Sequence, residues 1–164
     1  MYDSSIVPLS HSLKSLSAIL KKAEAYCEAR KIDPNALLTA RLFPDMLPLI
    51  RQVLIASDHA KGCGARLAGV AVPSFPDEEK TFAELQARIG KTLDFIGSLK
   101  REQFADAATR TISLKVGGKD VELMGAAYLS SVALPNFYFH VTTAYNILRH
   151  NGLEIGKSDF LGRN

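Results

Sequence analysis

Apolar residues recur at steps of three, four and seven along four long stretches of the chain, which is the spacing of an amphipathic helix. Proline, glycine and asparagine mark the breaks, and Asp33-Pro34 ends the first stretch as Asn151-Gly152 ends the last. Two shorter segments, 35–42 and 125–132, are helical in composition. The predicted long helices run from Leu9 to Arg30, from Asp45 to about Leu67, from Pro76-Asp77 to near Gly97, and from Asn136 to His150.

Residues 111–123 change from the helical period to a period of two. Polar and apolar residues alternate on both sides of Gly117-Gly118, a pair that can take the positive φ angles of a two-residue turn. This pattern predicts a β-hairpin with one apolar face. The predicted cross-strand pairs are Leu114 with Val121, Ile112 with Leu123, and Lys115 with Asp120.

The order of these elements predicts a mainly α fold. Four long helices, with a longer connection before the last one and a small hairpin inside that connection, favour an up-and-down four-helix bundle with a crossover. A length of 164 residues with 47% apolar residues allows one core, so we expect a single domain over residues 1–164. A lone hairpin is marginally stable in water, and we expect this one to pack against a helix or a second subunit.

Composition and charge exclude several classes of partner. The net charge is +3 and the short basic pairs carry no interleaved aromatic residues, so no nucleic-acid partner is expected. No window reaches the roughly 18 to 20 apolar residues of a membrane span, and the N-terminus lacks the pattern of a secretory signal. We therefore expect a cytoplasmic protein with no membrane partner. Cys27 and Cys63 form no motif and are expected as small buried hydrophobic residues.

The four histidines are the main candidates for chemistry. His140 lies within the apolar stripe of the last helix and is expected to point into the bundle. His59 is displaced by roughly a third of a turn from the stripe of its helix, and His11 lies well away from the stripe of the first. No His-x-x-x-His, Glu-x-x-His or Cys-x-x-Cys spacing places two ligands on one helix face. His140 could therefore be a hydrogen-bonded core residue, a pocket residue or a metal ligand.

Three segments carry a resemblance to a known family. They are Arg41-Leu42-Phe43-Pro44-Asp45-Met46, Phe75-Pro76-Asp77-Glu78-Glu79 and, above all, the stretch from Leu134 to Gly152 that reads LPNFYFHVTTAYNILRHNG. With the order of elements, they make the chain resemble an uncharacterised bacterial domain of unknown function among the DinB/YfiT-like four-helix bundles. The resemblance covers nearly the whole chain, and it implies a DinB-like fold and, by analogy, a homodimer.

The same resemblance bears on metal binding. Many members of the wider superfamily look like metal-dependent enzymes, including thiol transferases, in which one His of the second helix and a His-x-x-x-His pair of the last hold a divalent ion. His59 and His140 match two of these positions, whereas Ala144 stands at the third and has no ligand atom. Because catalytic zinc normally has three protein ligands, we expect no cofactor, or at most a weakly bound divalent metal such as zinc or nickel.

Three hypotheses for function follow. The first is a DinB-like bundle of unknown activity, without a complete metal triad and with a small pocket near His140. The second is a metal-dependent hydrolase or thiol transferase that uses His59 and His140 with a metal-bound water. The third is a module that binds a small apolar ligand. The candidate pocket residues are His140, Asn136, Phe137, Thr143, Tyr145 and Tyr128.

Overall fold

The computed structural model describes residues 1–163, apart from the side chain of Val116, and shows a helical bundle with one hairpin. The fold is mainly α, as predicted, and α3 is its central helix because it packs against α1, α4 and α6. No helix within residues 1–163 combines the length and apolar character needed to cross a bilayer. The elements are α1 (Tyr2–Arg30), α2 (Pro34–Leu38), α3 (Leu49–Ala68), α4 (Phe82–Ser98), a 3₁₀ turn (Arg101–Phe104), β1 (Thr111–Val116), β2 (Lys119–Met124), α5 (Gly125–Tyr128), a π turn (Leu129–Ala133), α6 (Leu134–His150) and α7 (Lys157–Phe160).

Helix α1 begins seven residues before the predicted Leu9 and runs through Pro8. Proline lacks the N–H that an interior helical position donates, which is why the pattern favours a later start. Ile6 is buried in this first part and Ser5 donates its hydroxyl hydrogen bond to the Met1 carbonyl at 2.9 Å. Burial of the early turns and a local hydrogen bond therefore outweigh the missing backbone donor.

Helices α3 and α4, in contrast to α1, begin later than the pattern predicts. Pro48 holds an extended backbone as the N-cap of α3, so Asp45 lies in the preceding loop. Thr81 caps α4, accepting from the Glu84 backbone N–H at 3.2 Å while the Glu84 carboxylate accepts from the Thr81 N–H at 2.9 Å. The segment between α3 and α4, residues 70–81, consequently lies outside both helices.

The hairpin has the predicted turn and register. Gly117 and Gly118 take φ angles of 57° and 79°, the left-handed values that a two-residue hairpin turn requires. Every predicted cross-strand pair is confirmed. The observed pairs include Leu114 with Val121, Ile112 with Leu123, and Lys115 with Asp120.

The open end of the hairpin is attached to the body of the bundle. The Gly125 N–H donates to the Arg110 carbonyl at 2.8 Å, and the Ala126 N–H donates to the Ala108 carbonyl at 3.0 Å. Ile112, next to this end, is 4% exposed. These contacts supply the support that a two-stranded sheet needs.

Candidate functional site

His59 and His140 lie against each other where α3 packs on α6. Their ring centroids are 5.7 Å apart and the ring planes differ by 16°, so the imidazoles are stacked. His59 is half-buried, although its helical phase lies off the apolar stripe of α3. Helix α3 packs against three other helices. A residue a third of a turn away from the apolar stripe of α3 can therefore still contact a neighbouring helix.

Gln52 sets the orientation of the His140 ring. The Gln52 side chain is buried, and its amide nitrogen donates to the Leu47 carbonyl at 2.9 Å. Its amide oxygen lies 2.7 Å from His140 Nδ1, and because that oxygen can only accept, Nδ1 carries the proton. The lone pair of the neutral ring is therefore on Nε2.

Both imidazoles are neutral at pH 7. Burial lowers the pKa of His140 to about 4, and the neighbouring His59 acts in the same direction. Burial also lowers the pKa of His59, opposed by the Asp58 carboxylate and assisted by the Arg66 guanidinium. The pair offers uncharged donors and acceptors and adds no cation of its own near neutral pH.

The depressed pKa of His140 predicts a loss of stability on mild acidification. Its folded-state pKa of about 4 lies below the ordinary 6.5, so the unfolded chain takes up the proton first. The contribution of neutral His140 to stability is fully present above pH 6.5 and is lost as the pH falls towards 4. Allowing for partial exposure, we expect the free energy of unfolding to fall by about 1 kcal/mol between pH 7 and pH 5. Urea titrations at both values should show a smaller fall in His140→Gln, and an equal fall would contradict the assignment.

A cleft of about 390 Å³ opens beside His59, between the hairpin and the helices. We call it the His59 cleft. Its walls come from α3, from the inner side of the hairpin, and from the segment that joins α5 to α6. The lining residues are His59, Arg66, Leu114, Lys115, Gly117, Tyr128, Val132 and Asn136.

Arg66 is the half-buried cation of this cleft, whose lining also includes the exposed Lys115. Its Nη1 donates to the Tyr128 hydroxyl at 3.4 Å, and its guanidinium carbon lies 6.0 Å from the centre of the Tyr128 ring. A side chain at Gly62 would overlap the guanidinium, so the glycine one turn earlier provides the space that Arg66 occupies. Within residues 1–163, no carboxylate lies within 4.0 Å of the Arg66 guanidinium nitrogens.

The other charged groups near the cleft are engaged elsewhere. The ammonium of Lys115 lies 4.0 Å from Asp120 on the exposed part of the hairpin. Asp58, next to His59 in the sequence, directs its carboxylate to Lys61 at 2.8 Å and to Arg88 at 2.9 Å. Burial raises the pKa of Tyr128 to about 12, so its hydroxyl stays protonated. Arg66 is thus left as a half-buried cation available to a ligand.

The histidine pair has fewer donors than the three protein ligands that a catalytic metal ion normally has. The third position implied by the DinB resemblance is Ala144, which is fully buried and has no donor atom. No group of three or more His, Cys, Asp or Glu side chains in the described chain is arranged to hold a metal. A cationic guanidinium at the edge of the histidine pair further disfavours a divalent cation.

The predicted pocket residues fall in different places. Tyr128 and Asn136 line the His59 cleft, and the Asn136 amide donates to the Val132 carbonyl at 2.7 Å. Phe137 is fully buried in the core, and Thr143 is buried with its hydroxyl donated to a backbone carbonyl. Tyr145 lines another cleft, where its ring centroid is 5.7 Å from that of Phe160. The structure therefore does not bring Phe137, Tyr145 and Tyr128 into one pocket with His140.

Several residues of the site were not among the sequence predictions. Gln52 and Arg66 lie on α3, and Leu114 and Val132 lie on the two facing walls of the cleft. The Gly62-x-x-x-Arg66 spacing is a usable signal, since a glycine one turn before an arginine leaves room for the guanidinium on the helix surface. Gln52 has no such signal, because its role depends on a residue 88 positions away.

Comparisons with known proteins agree with this fold. A family described as a domain of unknown function, DUF1993, matches residues 1–161. The crystal structure of a DinB family member from Shewanella denitrificans is 48% identical, with a TM-score of 0.91 over 98% of this chain and 91% of that one. None of the curated proteins matches at a significant level. The chain is a member of the DUF1993 family and has a DinB-type helical fold.

Proposed function

We propose that this protein binds a small organic anion in the His59 cleft, with the carboxylate of the ligand paired to Arg66. The observation that carries the proposal is the half-buried guanidinium of Arg66, which has no carboxylate within ion-pair distance in the described chain. Guanidinium groups form bidentate, charge-assisted hydrogen bonds to carboxylates. A half-buried cation without a counter-ion favours a ligand that supplies one.

The rest of the lining supports an anion over a cation. No aspartate or glutamate belongs to the lining, whereas His59 and Asn136 supply neutral polar groups. A volume of about 390 Å³ is at the small end of ligand pockets. These features favour a small carboxylic acid with a few further polar contacts.

We further propose that recognition does not use a resident metal. Two imidazoles with no third donor hold a divalent ion weakly, since catalytic sites normally use three protein ligands. His140 is moreover already hydrogen-bonded through Nδ1 to Gln52 and does not belong to the lining of the cleft. Under this proposal the protein groups make every contact to the ligand.

The test is a calorimetric titration of the protein with hexanoate, and with hexanamide as the uncharged analogue. Arg66→Gln should weaken hexanoate binding by about tenfold or more, because a hydrogen bond to a charged group contributes about 1.5 to 3 kcal/mol. Hexanamide should bind weakly to both proteins. The matched control is Arg30→Gln, which removes another arginine that lies over a tyrosine ring in the last turn of a helix.

Two results would contradict the proposal. Equal binding of hexanoate by Arg66→Gln and by the unaltered protein would show that Arg66 does not bind the ligand. Stoichiometric zinc or nickel that is retained through purification without an affinity tag, and is lost in His59→Ala, would replace the metal-free site by a metal centre.

A further inference from the structure

The apolar face of the hairpin is covered unevenly along its length. Ile112, near the attached end, is 4% exposed and belongs to the core. Leu114 and its cross-strand partner Val121, closer to the turn, are only half-buried. The apolar strip therefore continues beyond the part that the bundle covers.

Leu114 is the member of this strip that reaches the His59 cleft. It lines the cleft on the hairpin side, and Val132, which is half-buried on the π turn, lines it on the helical side. Both side chains are fully apolar, whereas Arg66 carries a charge on the α3 wall of the same cavity. The cleft thus combines the charge of Arg66 with one apolar side chain on each of the other two walls, beside the polar groups of Lys115, Tyr128 and Asn136.

From this arrangement we infer that the ligand is a carboxylate with an apolar tail, held between Leu114 of the hairpin and Val132 while its carboxylate meets Arg66. The inference rests on the proposed function and adds the substrate class. A small inorganic anion could pair with Arg66, but it would leave the side chains of Leu114 and Val132 in contact with water. An apolar tail removes that surface from water, and the gain grows with each buried methylene.

The hairpin then has a function in recognition. Its attached end, through Gly125 and Ala126, holds the strands on the bundle, while Leu114 is positioned over the cleft by the alternation of the strand. A helix in this connection would present its apolar residues with a different period and would leave no flat wall beside α3.

The experiment is a calorimetric series with butyrate, hexanoate and octanoate. We expect the dissociation constant to fall by about two- to fourfold for each added methylene, with a plateau when the cavity is full. Leu114→Thr, which keeps a residue suited to a strand, should reduce the gain in affinity per added methylene. Met124→Thr is the matched control, because Met124 is an apolar residue of the same hairpin that is 51% exposed and outside the cleft.

Val132→Thr tests the same wall from the helical side if Leu114→Thr proves too unstable to measure. If the unaltered protein binds butyrate, hexanoate and octanoate with equal affinity, and binding still depends on Arg66, the inferred apolar tail is wrong. The proposed anion site is then still supported. Equal chain-length gains in Leu114→Thr, Val132→Thr and the unaltered protein would place the tail elsewhere and overturn the inference. Absence of binding by all three acids would overturn the proposed function itself.

Discussion

Replacement of Gly125 by alanine is expected to lower the free energy of unfolding by about 3 kcal/mol. Gly125 is buried at the start of α5, and a Cβ there would overlap the carbonyl oxygen of Ala107 and lie 3.2 Å from a methyl group of Leu67. The obstacle is backbone, which cannot rotate away as a side chain can. Relief would therefore have to separate the hairpin from the body. Urea midpoints of the two proteins, compared at equal m, measure the effect.

Gly90→Ala is the matched control for this substitution. Gly90 lies inside α4, and a Cβ there would meet no atom within 4 Å. Because alanine loses less backbone entropy than glycine in a helix, this variant should be more stable than the unaltered protein, by up to about 1 kcal/mol. If Gly125→Ala behaved like Gly90→Ala, the close approach of α5 to the segment before the hairpin would be wrong.

Replacement of Arg88 by methionine should cost about 3 kcal/mol, the low end of the range for breaking a buried ion pair from one side, because the carboxylates left behind are partly exposed. Arg88 is 3% exposed, and its guanidinium lies 2.9 Å from Asp58, 3.1 Å from Asp77 and 3.0 Å from Glu79. It also donates to the carbonyl of Pro76 at 2.9 Å. Methionine fills similar space but leaves three carboxylates without their shared cation. The free energy of unfolding in urea at pH 7 measures this loss.

The dependence on pH separates lost charge pairing from lost packing. Although burial opposes it, the guanidinium groups of Arg51 and Arg88 hold the pKa of Asp77 below its ordinary value of 3.8. The stability that this carboxylate contributes is present above pH 4 and is lost as the pH falls through the lowered pKa. The difference between Arg88→Met and the unaltered protein should therefore narrow below pH 4. A constant difference would show that packing, and not charge, accounts for the loss.

Arg101→Met is the control for replacing an exposed, ion-paired arginine by methionine. Arg101 binds Asp3 through both guanidinium nitrogens at 2.6 Å, but the two side chains are 60% and 67% exposed. An exposed pair gains little because water solvates both partners equally well when they separate. The free energy of unfolding of this variant should be close to that of the unaltered protein. A large loss would mean that the burial of Arg88 does not explain its effect.

The elements of the fold could be predicted where the signal is local. The hairpin is the clearest case, since alternation on both sides of Gly117-Gly118 specifies the strands, the turn and the register at once. The long helices follow from their periodic apolar residues, but their starts depend on neighbours. The early start of α1 through Pro8, for example, depends on burial of Ile6 against the bundle.

The site required the tertiary structure. Helical phase predicted that His140 points into the bundle, and in the structure it is half-buried and hydrogen-bonded to Gln52 of α3. The same reasoning treated His59 as pointing away from the core stripe, since one stripe is a poor guide for a helix that is covered on three sides. Arg66 was not predicted, because an arginine in the last turn of a helix ordinarily faces solvent.

By itself the sequence determined the long helices and the hairpin with its register, because each of these depends on the spacing of residues along a short segment. Only the tertiary structure decided that His59 stacks on His140, that Gln52 orients the ring, and that Arg66 shares a cleft with Leu114 of the hairpin. These contacts join residues dozens of positions apart. Their geometry is set by how the helices pack, which no local period encodes.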